Sequence, residues 1–282
     1  MKNTKKDKTP TLPSKLLAIL AAGLIFCLAT AIFMGISILI SILTGFSNIL
    51  LWGLGIIPAA IFYSGLVTII RKYSIENNCA PLIKTYFSAV KKNARAFLLH
   101  GFVAYLICSC SLFATLYYHT LAQIDSSFGY VLAIYGIFIA ALVVMMFYVT
   151  LISVSYELRY RDIYKNSIKL ILGNLPKNLL ALLMTSAVVA LAVLGIVFTG
   201  GILRIIICVL AGAICPTLIT YITVRMISKG LQESLGDFAP AAPPAPDEDE
   251  KPIIINSSNT EDDYIFVNGK IVKNNFKSRT KD

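Results

Sequence analysis

Along most of its length the chain alternates long uncharged stretches with short clusters of charge. Residues 16–70, 96–124, 126–156, 178–203 and 205–224 contain no Asp, Glu, Lys or Arg. A helix that crosses a bilayer needs about 20 predominantly apolar residues. The first stretch is long enough for two crossings, and Thr44-Gly45-Phe46-Ser47-Asn48 holds the turn-forming residues that divide it. The other four stretches hold one crossing each. The pattern predicts an all-α polytopic membrane helix bundle with six transmembrane helices, spanning residues 16–43, 48–70, 96–121, 129–156, 178–199 and 202–224.

Two segments between the crossings have a different periodicity. "IKTYFSAVKKNARAF" (83–97) sets Ile83, Tyr86, Phe87, Val90, Ala94 and Phe97 against Lys84, Lys91, Lys92 and Arg95. "RDIYKNSIKLILGNLPKN" (161–178) sets Ile163, Tyr164, Ile168, Ile171 and Leu175 against Lys165, Asn166 and Lys169, and ends at Lys177 and Asn178. Spacing by three and four is the helical signature. Both segments are expected as amphipathic interfacial helices, over 81–93 and 161–174, with the apolar side in the headgroup layer and the basic side near phosphates. Pro81 suits the first turn of the earlier one. Phe62-Tyr63 recurs as Phe147-Tyr148, and Lys92-Asn93 as Lys177-Asn178, both at a separation of 85 residues. The chain therefore reads as an internal repeat of inbound crossing, basic helix and outbound crossing. A device used twice points to architecture, with Lys84, Lys91, Lys92, Arg95, Lys165, Lys169 and Lys177 as candidates for docking a partner.

Composition and charge extend this picture. The 282 residues are 57% hydrophobic and 14% charged, against about 25% charged in an ordinary soluble domain. Segments 1–15, 71–95, 157–177 and 225–282 carry every Lys and Arg except Arg204, whose long side chain suits a membrane boundary. Short cytoplasmic loops are enriched in Lys and Arg. Both termini are therefore expected in the cytoplasm, with a basic N-terminus at 1–15, the membrane domain at 16–229 and a tail at 230–282. The basic start is followed by an apolar run from Leu16 to Leu43, well beyond the roughly 7–15 residues of a signal peptide core. It reads as a retained helix. The net charge of +10 then belongs beside an anionic inner leaflet, and no nucleic-acid partner is expected.

The tail opens with the Pro-rich, acidic "APAAPPAPDEDE" (239–250), an extended linker. Beyond it, Asn268-Gly269 separates "YIFV" from "KIVK", the signature of a tight hairpin over 264–273. A lone hairpin is marginal in water. Tyr264, Phe266, Asn268 and Gly269 accordingly form either a fluctuating hairpin or a motif that adds to a partner's sheet edge.

Candidate chemistry is sparse. His100 and His119 fall near opposite faces of the third crossing and Glu157 ends the fourth, so all three are expected to be hydrated. Cys27, Cys108, Cys110, Cys208 and Cys215 read as small hydrophobes, and Cys79 falls in a basic loop. No metal-ligand spacing, phosphate loop or nucleophile with a nearby base is visible, so no cofactor, metal or enzymatic activity is expected. Pro58 and Pro216 are candidate helix-kink positions, which membrane helices commonly accommodate as packing joints.

"IIPAAIFYSGLVTIIRKYSIENNCAPLIKTYFSAVKKNARAF" (56–97), followed by "YKNSIKLILGNLPKN" (164–178), resembles the YesL family of bacterial integral membrane proteins, a group of unknown function. The resemblance extends over about 15–230. It implies a polytopic membrane protein often encoded near carbohydrate-uptake and polysaccharide-utilisation functions, and it supplies no catalytic residues. The expectation is a non-enzymatic accessory or regulatory component associated with membrane machinery, such as a carbohydrate transporter component. The alternative is a small-solute transporter or channel in its own right. A reporter fused at Ser126 is expected on the side of the membrane opposite to reporters fused at either terminus; the same side for all three would overturn the six-crossing order.

Overall fold

The computed structural model describes residues 12–46, 48–78, 80–156, 158–235, 253–254, 264–267 and 270–273. Eight helices follow in order: α1 (Leu12–Thr44), α2 (Ile49–Gly53), α3 (Ile56–Ser74), α4 (Leu82–Ala122), α5 (Ser127–Ser155), α6 (Tyr160–Gly173), α7 (Leu175–Val197) and α8 (Gly201–Leu235). Six segments are long and apolar enough to cross a membrane: α1, α2 with α3, α4, α5, α7, and α8 as far as Ser228. The chain is a multi-pass membrane helix bundle. Helices α1, α4 and α7 run away from the end that carries the Lys and Arg clusters, and α3, α5 and α8 return to it. At the far end Gly45 (φ 72°) turns the chain out of α1. Asn48 then caps α2, its side chain accepting from the Leu50 amide at 3.0 Å.

The two basic segments are not built alike. The expected separate helix over 81–93 is the first part of α4, a single helix of 41 residues. Nothing between Leu82 and His100 can break it, since the stretch holds no Gly or Pro. In the later segment Gly173 and Asn174 (φ −127°, ψ 33°) end α6, and Pro176 sits in the first turn of α7, where a missing amide costs nothing. Only α6 stands apart from the crossing that follows it.

The two prolines sit differently in their helices. Pro58 is the third residue of α3, where the amide has no intrahelical partner to lose. The irregularity lies before it, at Leu54-Gly55 between α2 and α3. Gly55 has an ordinary helical φ of −60°, so it serves here by leaving room. A Cβ on it would lie 2.6 Å from the Phe33 carbonyl oxygen and 2.7 Å from the Met34 amide nitrogen of α1. Gly65 likewise lets the Tyr86 ring of α4 press on α3, at 2.8 Å from where a Cβ would stand. Pro216 lies inside α8, which continues through it.

Helix α3 is the hub. Its Leu66, Val67, Ile69 and Ile70 are buried with Ala18, Ile19 and Ala22 of α1, Tyr86 and Phe97 of α4, Tyr148, Val149, Leu151 and Ile152 of α5, and Val224 and Ile227 of α8. This core is confined to the basic end. No residue of 102–143 or 186–212 is buried, so the far halves of α4, α5, α7 and α8 present apolar side chains outward. In the tail, β1 (Ile253–Ile254), β2 (Tyr264–Val267) and β3 (Lys270–Lys273) pair antiparallel in the order β1-β2-β3, with Ile253 opposite Phe266 and Tyr264 opposite Lys273. Asn268, Gly269, the linker 239–250, Cys79 and Glu157 lie outside the described residues.

Gly55→Ala is expected to destabilise the chain in detergent by about 1–3 kcal/mol, since the added methyl overpacks two backbones. Gly35→Ala, where a Cβ meets nothing within 4 Å, is expected to be neutral or to stabilise by up to about 1 kcal/mol through helix propensity. Thermal or denaturant unfolding of the two variants measures the contrast.

Candidate functional site

Several buried polar side chains, among them Asn93, His100, Ser153 and Ser167, lie where α4, α5 and α6 meet at the basic end. On α4 the buried positions are Tyr86, Ala89, Asn93, Phe97, His100 and Gly101, one face at helical spacing. The last turns of that face direct His100 at α5 and α6. Its Nε2 lies 2.8 Å from Ser153 Oγ and its Nδ1 3.1 Å from Tyr164 Oη. Ser153 also donates to the Val149 carbonyl at 2.7 Å. A hydroxyl has a single proton, so one arrangement satisfies every partner. Nε2–H donates to Ser153, and the Tyr164 hydroxyl donates to Nδ1. Burial pushes the Tyr164 phenol above its ordinary range, which keeps that donor protonated. Phe97, Tyr160 and Tyr164 surround the imidazole edge-on at 5.6, 6.4 and 5.8 Å between ring centres.

Tyrosine hydroxyls join the neighbouring helices in the same manner. Tyr86 Oη donates to the Phe62 carbonyl at 2.8 Å, joining α4 to α3. Tyr148 Oη donates to Asn178 Oδ1 at 2.8 Å, and Asn178 Nδ2 donates to the Ile171 carbonyl at 3.0 Å, joining α5, α7 and the end of α6. Tyr63 Oη lies 2.9 Å from Thr220 Oγ1, which also meets the Pro216 carbonyl at 2.6 Å, joining α3 to α8. Asn93 and Asn178, 85 residues apart, are both buried, yet Asn93 Nδ2 donates within its own helix to Ala89. In apolar surroundings an unpaired hydroxyl or amide costs several kcal/mol, and these pairings remove that cost joint by joint.

The basic residues form a rim around this cluster. Lys84, Lys91, Lys92 and Arg95 are exposed on α4, and Lys165 and Lys169 on α6, while Lys177 is half-buried in the first turn of α7. Arg71 pairs with Glu76 at 2.9 Å. Burial raises the nearby Tyr156 phenol, and the Arg71 charge partly offsets this. At the far end Arg204 Nε donates to the Thr199 carbonyl at 2.8 Å, and His119 is exposed. There too the Ser127 amide donates to Asp125 Oδ1 at 2.9 Å and holds that carboxyl below its ordinary range.

His100 was expected to be hydrated and is instead enclosed, because a position seven residues beyond Asn93 shares its buried face. The sequence also showed no nucleophile beside a base. Ser153 and His100, 53 residues apart on different helices, meet at the distance of a hydroxyl–imidazole pair. Both are buried, and Ser153 is bonded to its own helix. An open apolar groove of about 280 Å³ lies elsewhere, lined by Ile25, Leu28, Ala29, Ile32, Phe33 and Phe62. His100 and Ser153 act here as a joint that holds α6 on the bundle. Among the described residues no group of three His, Cys, Asp or Glu is placed to hold a metal. No protein-family model, curated protein or solved structure matches the chain.

His100→Ala is expected to destabilise the bundle by about 1–3 kcal/mol by stranding the Ser153 and Tyr164 hydroxyls. Tyr164→Phe, which removes one hydrogen bond, should cost about 1 kcal/mol. The double variant should cost less than the sum, because the two changes remove one shared bond. Unfolding in detergent reads all three.

Proposed function

We propose that the chain is a non-enzymatic, multi-pass component of a bacterial cytoplasmic membrane that works by associating with other membrane machinery. Both termini lie in the cytoplasm on this reading, which rests on the placement of Lys and Arg. The observation that carries it is where the buried polar groups lie. Most of them lie toward the basic end, paired with one another and with backbone carbonyls, and no side chain of 102–143 or 186–212 is buried. A transporter of polar solutes needs polar groups at mid-membrane and a path between them. A bundle clamped at one end, with a rim of lysines and arginines around the clamp, suits docking instead. The resemblance of residues 56–97 and 164–178 to the YesL family points to carbohydrate uptake as the machinery served. In this reading the tail segment 264–273 is a second point of attachment.

A transporter or channel is the competing reading, and the broken crossing α2–α3 favours it, because half-helices at a break can expose backbone carbonyls to a solute. Here the break is filled by Gly55 against α1, and the Tyr105 hydroxyl donates to the Leu50 carbonyl at 3.1 Å.

Affinity purification of the full chain in mild detergent is expected to yield a membrane transport component at constant stoichiometry, and deletion of 251–282 is expected to weaken that association. Reconstituted alone in vesicles, the chain is expected to pass no sugar. Solute uptake by the isolated chain, reduced in Pro58→Ala or Pro216→Ala, would establish the transporter reading in its place.

A further inference from the structure

Helix α6 has three sides. At about 100° per residue, Ile163, Ser167 and Leu170 fall together and are buried against the bundle. Ile168 and Leu172 lie on the opposite side, about 140° and 180° around the helix from Ile163, and are exposed. Arg161, Lys165 and Lys169, also exposed, start at this apolar edge and continue around the helix. The helix's one carboxylate, Asp162, lies beyond Lys169, on the far side of the basic arc from the apolar edge. Leu175, Leu179 and Leu183 recur at four-residue spacing along the start of α7, and with Ile168 and Leu172 they are 52–70% exposed.

A strut needs only its bundle-facing side, so the exposed edge and the basic arc require another account. We propose that α6 and the start of α7 form a binding surface for an anionic phospholipid. Its headgroup phosphate pairs with Arg161, Lys165 and Lys169, and one acyl chain lies along Ile168, Leu172, Leu175, Leu179 and Leu183. Two features select this occupant. The positive charge adjoins an apolar edge on a helix that leads into a membrane crossing, and only an amphiphile with an anionic head satisfies both parts. A soluble anion meets the arc alone, and a zwitterionic lipid gains little from three cations. The joint at Gly173-Asn174 matters to the site, because it frees the basic arc from the axis of α7. On α4 the basic residues ride on an unbroken extension of the crossing and climb away from the bilayer turn by turn. The inference concerns lipid and does not depend on which protein the chain associates with.

The test uses the full chain in detergent micelles supplied with phosphatidylglycerol or phosphatidylcholine, with bound lipid counted by native mass spectrometry. Phosphatidylglycerol is expected to be retained in preference. Arg161→Gln/Lys165→Gln/Lys169→Gln is expected to weaken its retention by roughly fivefold per charge removed. Lys84→Gln/Lys91→Gln/Arg95→Gln is expected to leave retention within about twofold, since these residues lie off the site. Leu172→Ser/Leu175→Ser should reduce retention as well, while inorganic phosphate should displace nothing. All substituted side chains are exposed, and unchanged unfolding transitions confirm that the variants fold. Unchanged retention in the α6 triple variant overturns the proposal. So does equal loss in the α4 triple variant, which would mean diffuse charge, and so does displacement by phosphate, which would mean an anion site without a lipid chain.

Discussion

Hydrocarbon supplies no hydrogen bonds, so a hydroxyl or amide carried into the bilayer must find its partner within the protein. That constraint organises this bundle. Tyr63, Tyr86, Tyr148 and Tyr164 each place a hydroxyl at a junction between helices, and each finds a carbonyl, amide, imidazole or hydroxyl there. A tyrosine brings a large apolar ring to the same place, so the group that demands a partner also fills the junction. Individual hydrogen bonds between membrane helices are worth only modest energies. Their effect here is directional, since each accepts one relative placement of two helices and penalises the others.

Close approach of the backbones supplies the rest. Gly55 lets α3 lie against the α1 backbone, and Gly101 lets α4 lie against the Ile57 carbonyl of α3, at distances no side chain would permit, which compensates for the absence of a hydrophobic drive between helices in lipid. Helix α3 thereby touches most of the bundle, and two of the tyrosine junctions, Tyr86–Phe62 and Tyr63–Thr220, lie on it. The polar rim and the buried joints share one end because both follow from the placement of charge. Helix ends that carry Lys and Arg stay near water, and the residues tying those ends together sit one or two turns inside.

The six crossings were legible because absence of charge over 20 residues has few other meanings. The break after α6 and the continuity of α4 were legible in principle, since Gly173-Asn174-Leu175-Pro176 breaks a helix and Leu82–His100 holds no breaker. Assigning both segments to one repeated pattern concealed that difference. The bundle-facing side of these two segments was less legible. The contrast of apolar against basic marks Ile83, Phe87 and Ile168, which stay exposed, whereas the side buried against the bundle also carries small and polar residues, such as Ala89, Asn93, Gly101 and Ser167. The His100–Ser153–Tyr164 joint was out of reach, because it depends on which helices become neighbours.

The confinement of the packed core to one end gives the molecule two mechanical regimes. Near the basic end the helices are pinned by polar joints and cannot slide without breaking several at once. Beyond Gly101, Val144, Thr185 and Ala213 no residue of these helices is buried, so the far halves of the α4–α5 and α7–α8 hairpins are held by fewer contacts, such as the Tyr105 hydroxyl on the Leu50 carbonyl. A bilayer thinner or thicker than the helices is accommodated by tilting at a modest cost per ångström of mismatch. That adjustment falls on the far halves and leaves the clamp as it is. Hydrophobic mismatch is thus absorbed at one face of the membrane while the other keeps a fixed shape, as a docking face requires.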